Sequence, residues 1–232
     1  MTTSTEDVTL GTLTGYLAAP RNPRGAVLLL PTVAGVDAFS RNRADALAQA
    51  GFTTLAWHPY SGQAPTADLQ DALKRSQTLT DRQSLDEMSR WLQYLREQAG
   101  ATSIGVIGFC MGGRFSLLLC AREPGLNACA AVYPSLYEPR LPNQEEDAVS
   151  HAVEIGCPVA LTYPGRDHVT NAETLQRLRS NLWKRSAPTT VQYFPEARHG
   201  FLHHQGEANV AASRHAWPQI VGFLDGALTS AP

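Results

Sequence analysis

The stretch Ile104-Gly105-Val106-Ile107-Gly108-Phe109-Cys110-Met111-Gly112-Gly113 sets a cysteine among glycines directly after an apolar run. Residues 104–109 carry no charge, as in a strand buried on both faces, and residues 112–121 read as a helix. A strand that passes straight into a helix leaves its junction residue on a sharp bend, and that residue is Cys110. Gly108 and Gly112 have no Cβ to collide with the turn, so the thiol can protrude. The helix start then aims free N–H groups and the positive end of its dipole at the sulfur, which favours the thiolate. The N–H of Met111 faces the place where an oxyanion would develop. The plainer reading makes Cys110 a small apolar core residue. A phosphate loop is disfavoured, because these glycines do not form G-x-G-x-x-G and no G-K-[ST] follows.

Around this bend the chain alternates strands with helices. Residues 9–17 suggest an amino-terminal strand or hairpin, and residues 26–30 a buried strand ending at Pro31. Residues 40–49 form a helix closed by Gly51, residues 52–57 a strand and residues 59–65 a loop. Leu85, Met88, Leu92 and Leu95 share one face of a helix over 81–98. Strands follow at 129–133, 158–163 and 190–194, with helices at 172–184 and 209–228. The segments 59–80 and 136–151 are expected as loops that shape specificity. The pattern implies one α/β domain over residues 1–232: a mostly parallel sheet with helices on both faces, and chemistry beyond the carboxyl ends of the strands.

Bulk properties narrow the function. The 232 residues, 43% hydrophobic and 17% charged, carry a net charge of -2, which gives no reason to expect nucleic acid or an anionic membrane as partner. The amino terminus has neither the basic nor the apolar region of a secretory signal, and no apolar run approaches a membrane span. Cys110, Cys120, Cys129 and Cys157 form no C-x-x-C pair, so disulfides and zinc are not expected and a reducing cytoplasm fits. The last three read as buried small hydrophobes.

Two more polar residues fall just past expected strands: Asp167 in Gly165-Arg166-Asp167-His168-Val169, and His199 in Ala197-Arg198-His199-Gly200-Phe201. The order nucleophile, acid, histidine is that of the α/β-hydrolase triad. Asp167 could instead cap a helix, and His199 is one of seven histidines. The preferred reading makes Asp167 the acid that holds the tautomer of a general-base His199.

With these motifs on the page, the chain resembles the dienelactone hydrolase family of α/β hydrolases over nearly its whole length. Gly15-Tyr16-Leu17-Ala18-Ala19-Pro20, Gly35-Val36-Asp37-Ala38-Phe39 with Arg41, and Gln63-Ala64-Pro65 join the three motifs in carrying the resemblance. It implies Cys110, Asp167 and His199 as triad, with the N–H groups of Met111 and Val33 as oxyanion donors. It also exposes departures. Thr32 stands where the family usually has an acidic residue that engages the resting thiol. His203 and Leu69 stand where dienelactone-cleaving members use arginines to hold a carboxylate; Lys74 and Arg75 would need a register shift to replace them. The chemistry is thus expected to be kept and the substrate changed.

The expected reaction is hydrolysis of a small-molecule ester or lactone through a thioester, with neither cofactor nor metal. Thiolate attack favours activated substrates such as enol lactones and aryl esters. Thr32, Trp57, Tyr60, Tyr133, Tyr137, Phe201 and His203 are the expected pocket walls. The chain is expected to act as a monomer or homodimer. Thioester hydrolysis or acyl transfer on the same triad is the nearer alternative, and a non-catalytic binding protein the more distant one.

Overall fold

Alternating faces build the sheet. In the computed structural model, which describes residues 2–229, eight strands join one sheet: β1 Thr3–Leu10, β2 Leu13–Pro20, β3 Ala26–Leu30, β4 Thr53–Trp57, β5 Ile104–Phe109, β6 Ala128–Val132, β7 Val159–Arg166 and β8 Thr189–Arg198. Their order across the sheet is β1-β2-β4-β3-β5-β6-β7-β8. The β1–β2 hairpin turns at Gly11 (φ 65°) and meets β4 antiparallel, and every later pairing is parallel. The seven α-helices among the described residues are α1 Ala38–Gln49, α2 Leu69–Ser76, α3 Asp81–Glu97, α4 Met111–Arg122, α5 Ala148–His151, α6 Ala172–Leu182 and α7 Glu207–Thr229.

Two cores follow from the pleat. Ala26, Leu28 and Leu30 of β3 pack on one face with Met88, Trp91 and Leu92 of α3, Phe115 and Leu119 of α4, and Leu178 of α6. Val27 and Leu29 face the other side, against Ala44 and Leu47 of α1 and Ile220 and Leu224 of α7. A leucine buried this fully contributes about 1.5–3 kcal/mol relative to exposure. The connection after β3 goes to β4 on one side and the connection after β5 goes to β6 on the other, so a crevice opens where the carboxyl ends of β3 and β5 meet.

The sequence reading changes at several elements. Residues 69–76, expected as loop, form α2: Asp68 caps it by accepting from Asp71 N, and Ala72 is buried under it. Strand β8 runs to Arg198 rather than stopping at Phe194, and β7 runs to Arg166, so pairing carries both strands to the doorstep of His199 and Asp167. The segment before β7 includes α5 and a 3-10 turn at Ala152–Glu154.

One buried ion pair braces the segment around residue 146. Arg114 of α4 donates from both terminal nitrogens to the two carboxylate oxygens of Asp81 at 2.6 Å, with both side chains at most 3% exposed. Arg114 also donates to the Glu146 carbonyl (2.7 Å), and Glu146 N donates to Asp81 (2.8 Å). Removing one partner strands a buried charge. Asp81→Ala should therefore lose about 3–5 kcal/mol of stability, read as a lower urea midpoint at unchanged slope. A midpoint within error of the parent would show that the pair contributes little.

Candidate active site

The bend at Cys110 is forced by close packing. Cys110 adopts φ 56° and ψ -114°, outside the ordinary range of an L residue. Its N–H donates to Val132 O of β6 (3.1 Å), and Gly112 N donates to Pro31 O beyond β3 (3.0 Å). A Cβ at Gly108 would sit 1.9 Å from Gly112 O, and one at Gly112 would sit 2.1 Å from Leu30 O. Only hydrogen fits at either place, so the thiol is lifted to the head of α4, half-buried and open to a cavity.

The histidine and the acid arrive from two other strand ends. His199 Nδ1 lies 3.0 Å from each carboxylate oxygen of Asp167. A carboxylate only accepts, so Nδ1 carries the proton and Nε2 faces the thiol side. Asp167 Oδ1 also accepts from Val169 N (2.8 Å) and Thr170 N (3.1 Å), which fixes the carboxylate independently of the ring. Both side chains are buried, at 8% and 4% exposed.

Polar contacts link the imidazole to the sulfur through a residue absent from the sequence reading. Ser135 Oγ lies 3.1 Å from Cys110 Sγ and 3.5 Å from His199 Nε2. Burial opposes the thiolate, yet the imidazole of His199, the Ser135 hydroxyl and the Met111 N–H together hold the Cys110 thiol below its ordinary range. Burial likewise opposes the imidazolium, but Asp167 and Cys110 outweigh it and raise His199 to about 10. Each of these groups favours the charged form of the other. A thiol so placed can act as a nucleophile, with a ring able to pass its proton to a leaving group.

The cavity above the thiol measures about 800 Å³. Thr32, Val33, Tyr133, Tyr137 and His203 line it, as the sequence suggests. Tyr60, Phe201 and Trp57 do not. Tyr60 sits behind the wall and donates its hydroxyl to Val33 O (3.0 Å), fixing the loop after β3. Phe201 is fully buried against Tyr133 and Phe194. Trp57 lies on the other core, edge-on to Phe115, with its indole N–H on Glu87. A strand-end aromatic can turn to either side of the sheet, and the sequence does not say which.

Thr32 accepts from Ala34 N through Oγ1 (3.2 Å), so its hydroxyl shapes its own loop. Leu69 and His203 both reach the cavity, His203 stacked on Phe39 with ring centroids 4.8 Å apart. Arg75 is tied to Asp71 and the Ala64 carbonyl, and neither it nor Lys74 lines the cavity. Sequence reasoning missed Phe39, Leu73, His168 and His204 as lining residues. The helical spacing of Leu69, Ala72 and Leu73 was the signal that could have found the α2 wall.

A model of the dienelactone hydrolase family matches residues 13–228. The chain is 28% identical over 216 residues to a carboxymethylenebutenolidase from Rhodococcus opacus, covering 88% of this chain and 81% of that protein. It is 27% identical over 220 residues to a probable 2-oxo-3-(5-oxofuran-2-ylidene)propanoate lactonase from Bradyrhizobium sp, covering 90% and 87%. The crystal structure of a dienelactone hydrolase candidate from Klebsiella pneumoniae subsp. pneumoniae MGH 78578 shares the fold, with TM-score 0.83 at 24% identity over 96% of this chain and 98% of that one.

Cys120, Cys129 and Cys157 are buried, Cys157 even though contact with Cys120 lowers its thiol pKa too, whereas Cys110 is partly open to the cavity. Iodoacetamide at neutral pH should modify Cys110 faster than the other three by about tenfold or more, as peptide mass mapping would record. Equal rates would remove the case for a reactive thiol.

Proposed function

We propose that this chain, which belongs to the dienelactone hydrolase family and is a hydrolase of ester or lactone bonds, acts by covalent catalysis at Cys110 on uncharged, activated substrates with an apolar acyl or alkoxy part. The observation that carries the reading is the thiol held at the bend and facing His199, itself held by Asp167.

In this reading the Cys110 thiolate adds to the carbonyl carbon, and the carbonyl electron pair moves onto oxygen. The N–H groups of Met111 and Val33 receive that oxyanion. As the intermediate collapses, the bond to the leaving oxygen breaks and His199 Nε2–H supplies its proton. The now neutral ring takes a proton from water, whose oxygen attacks the thioester. Collapse expels the thiolate beside a renewed imidazolium. Asp167 stays ionised throughout and stabilises the ring charge. The four thiols are unpaired, as a reducing cytoplasm would keep them.

The substrate class follows from the wall. Phe39, Leu69, Leu73, Tyr137 and Val169 supply apolar surface, and no arginine or lysine is among the residues lining the cavity. Asp37 and Asp68 add negative charge there instead, while the Cys110 thiolate is balanced by the His199 imidazolium. A substrate carboxylate would be desolvated without a fork to receive it.

Two measurements test this. Cys110→Ala should reduce kcat/KM for aryl esters or enol lactones by about a thousandfold or more; near-parent activity would end the covalent reading. The unaltered protein should prefer a neutral aryl ester to its carboxylate-bearing analogue by about tenfold or more, and Leu69→Arg combined with His203→Arg should narrow or reverse that ratio. A native preference for the anionic ester would sink the substrate assignment.

A further inference from the structure

We infer that Ser135 is a further catalytic residue: its hydroxyl bridges the ion pair at rest, accepting from His199 Nε2–H and donating to Cys110 Sγ. The inference rests on the reading of Cys110 as nucleophile.

Ser135 is placed there by the backbone rather than by chance rotation. Strand β6 ends at Val132, Tyr133 turns at φ 36°, and Ser135 N donates to the Cys110 carbonyl at 3.0 Å. On either side, Pro134 O accepts from Thr170 Oγ1 (2.7 Å), and Thr170 Oγ1 accepts from Leu136 N (2.9 Å). Thr170 N in turn donates to Asp167. The residue is therefore tied both to the nucleophile and to the loop that carries the acid. It is 3% exposed, and its oxygen stands 3.1 Å from the sulfur and 3.5 Å from Nε2. A hydroxyl has one proton to donate and lone pairs to accept with, which matches a place between a cation N–H and an anion. The carboxylate expected of this family at position 32 is a threonine whose hydroxyl is engaged with Ala34 N, so Ser135 supplies the hydroxyl beside the sulfur.

The other groups facing Cys110 do not substitute for it. Tyr60, Tyr133 and Tyr137 all have hydroxyl pKa values raised by burial and by the thiolate, so they stay neutral through the working range. Tyr60 is committed to Val33 O. His168 lies edge-on to the His199 ring at 5.8 Å, and Asp167 lies behind that ring. When the thiolate attacks, the S–C bond forms and Nε2–H passes to the leaving oxygen. Ser135 keeps its own proton, and on thiolate release it donates to the sulfur again, so it gains and loses none over a turnover.

Donation to the thiolate favours the charged form, so losing the hydroxyl must raise the pH at which the thiol ionises. The test is the rate of iodoacetamide alkylation of Cys110 from pH 5 to 9 in the parent, Ser135→Ala and Ser135→Thr, with kcat/KM followed over the same range. In Ser135→Ala the acid limb should move up by about one pH unit, a loss approaching tenfold in rate at pH values below both limbs, with rates converging at high pH. Ser135→Thr, which keeps a hydroxyl, should restore the limb. If Ser135→Ala misfolds by circular dichroism, Ser135→Gly is the second hydroxyl-free variant. Superimposed profiles, or an equal loss at every pH, would overturn the inference. If Cys110→Ala is inactive while Ser135→Ala is unshifted, only Ser135 loses its role; an active Cys110→Ala removes the reading beneath it.

Discussion

The approach of Gly112 to the end of β3 is the contact on which the rest depends. Two parallel strands and a helix start converge within a space that admits only hydrogen at Gly108 and Gly112. The Gly112 N–H closes on Pro31 O, and the Cys110 N–H closes on β6. The bend cannot relax without prising β3 from β5. Its backbone strain is held by the surrounding sheet, and the result is a sulfur raised at the point where the strand order reverses.

That position decides the electrostatics. A thiol, an imidazole and a carboxylate lie mostly out of water, where each uncompensated charge is costly and each opposite neighbour counts strongly. Asp167 remains an effective acceptor because two backbone N–H groups hold it before the ring arrives. The consequence is an imidazole that favours its proton and a thiol that gives one up, poised opposite to their behaviour in water. The Asp81–Arg114 pair belongs to the same α4 scaffold and, through Glu146, stiffens the segment that follows the Tyr137 wall.

Specificity is carried by different parts of the chain. Cys110, Asp167 and His199 follow strand ends, while α2, Phe39 and the residues after His199 supply a separate part of the wall. Leu69 on α2 and His203 beyond His199 can therefore be replaced without disturbing the bend.

The sequence determined the alternation of strands and helices, the three strand ends that precede Cys110, Asp167 and His199, and the absence of an arginine at positions 69 and 203. Those signals are local: apolar runs, glycines that a tight bend demands, and residue types that either can or cannot form a fork. Helix α2 escaped notice because its eight residues bury little beyond Ala72, leaving too short an apolar stripe to stand out. Only the tertiary structure decided that Tyr60, Phe201 and Trp57 lie behind the site, and that Ser135 lies within it. Which way a side chain turns beyond a strand end depends on pairing and crossing helices far along the chain. A serine in an ordinary loop carries no mark of the sulfur it will meet.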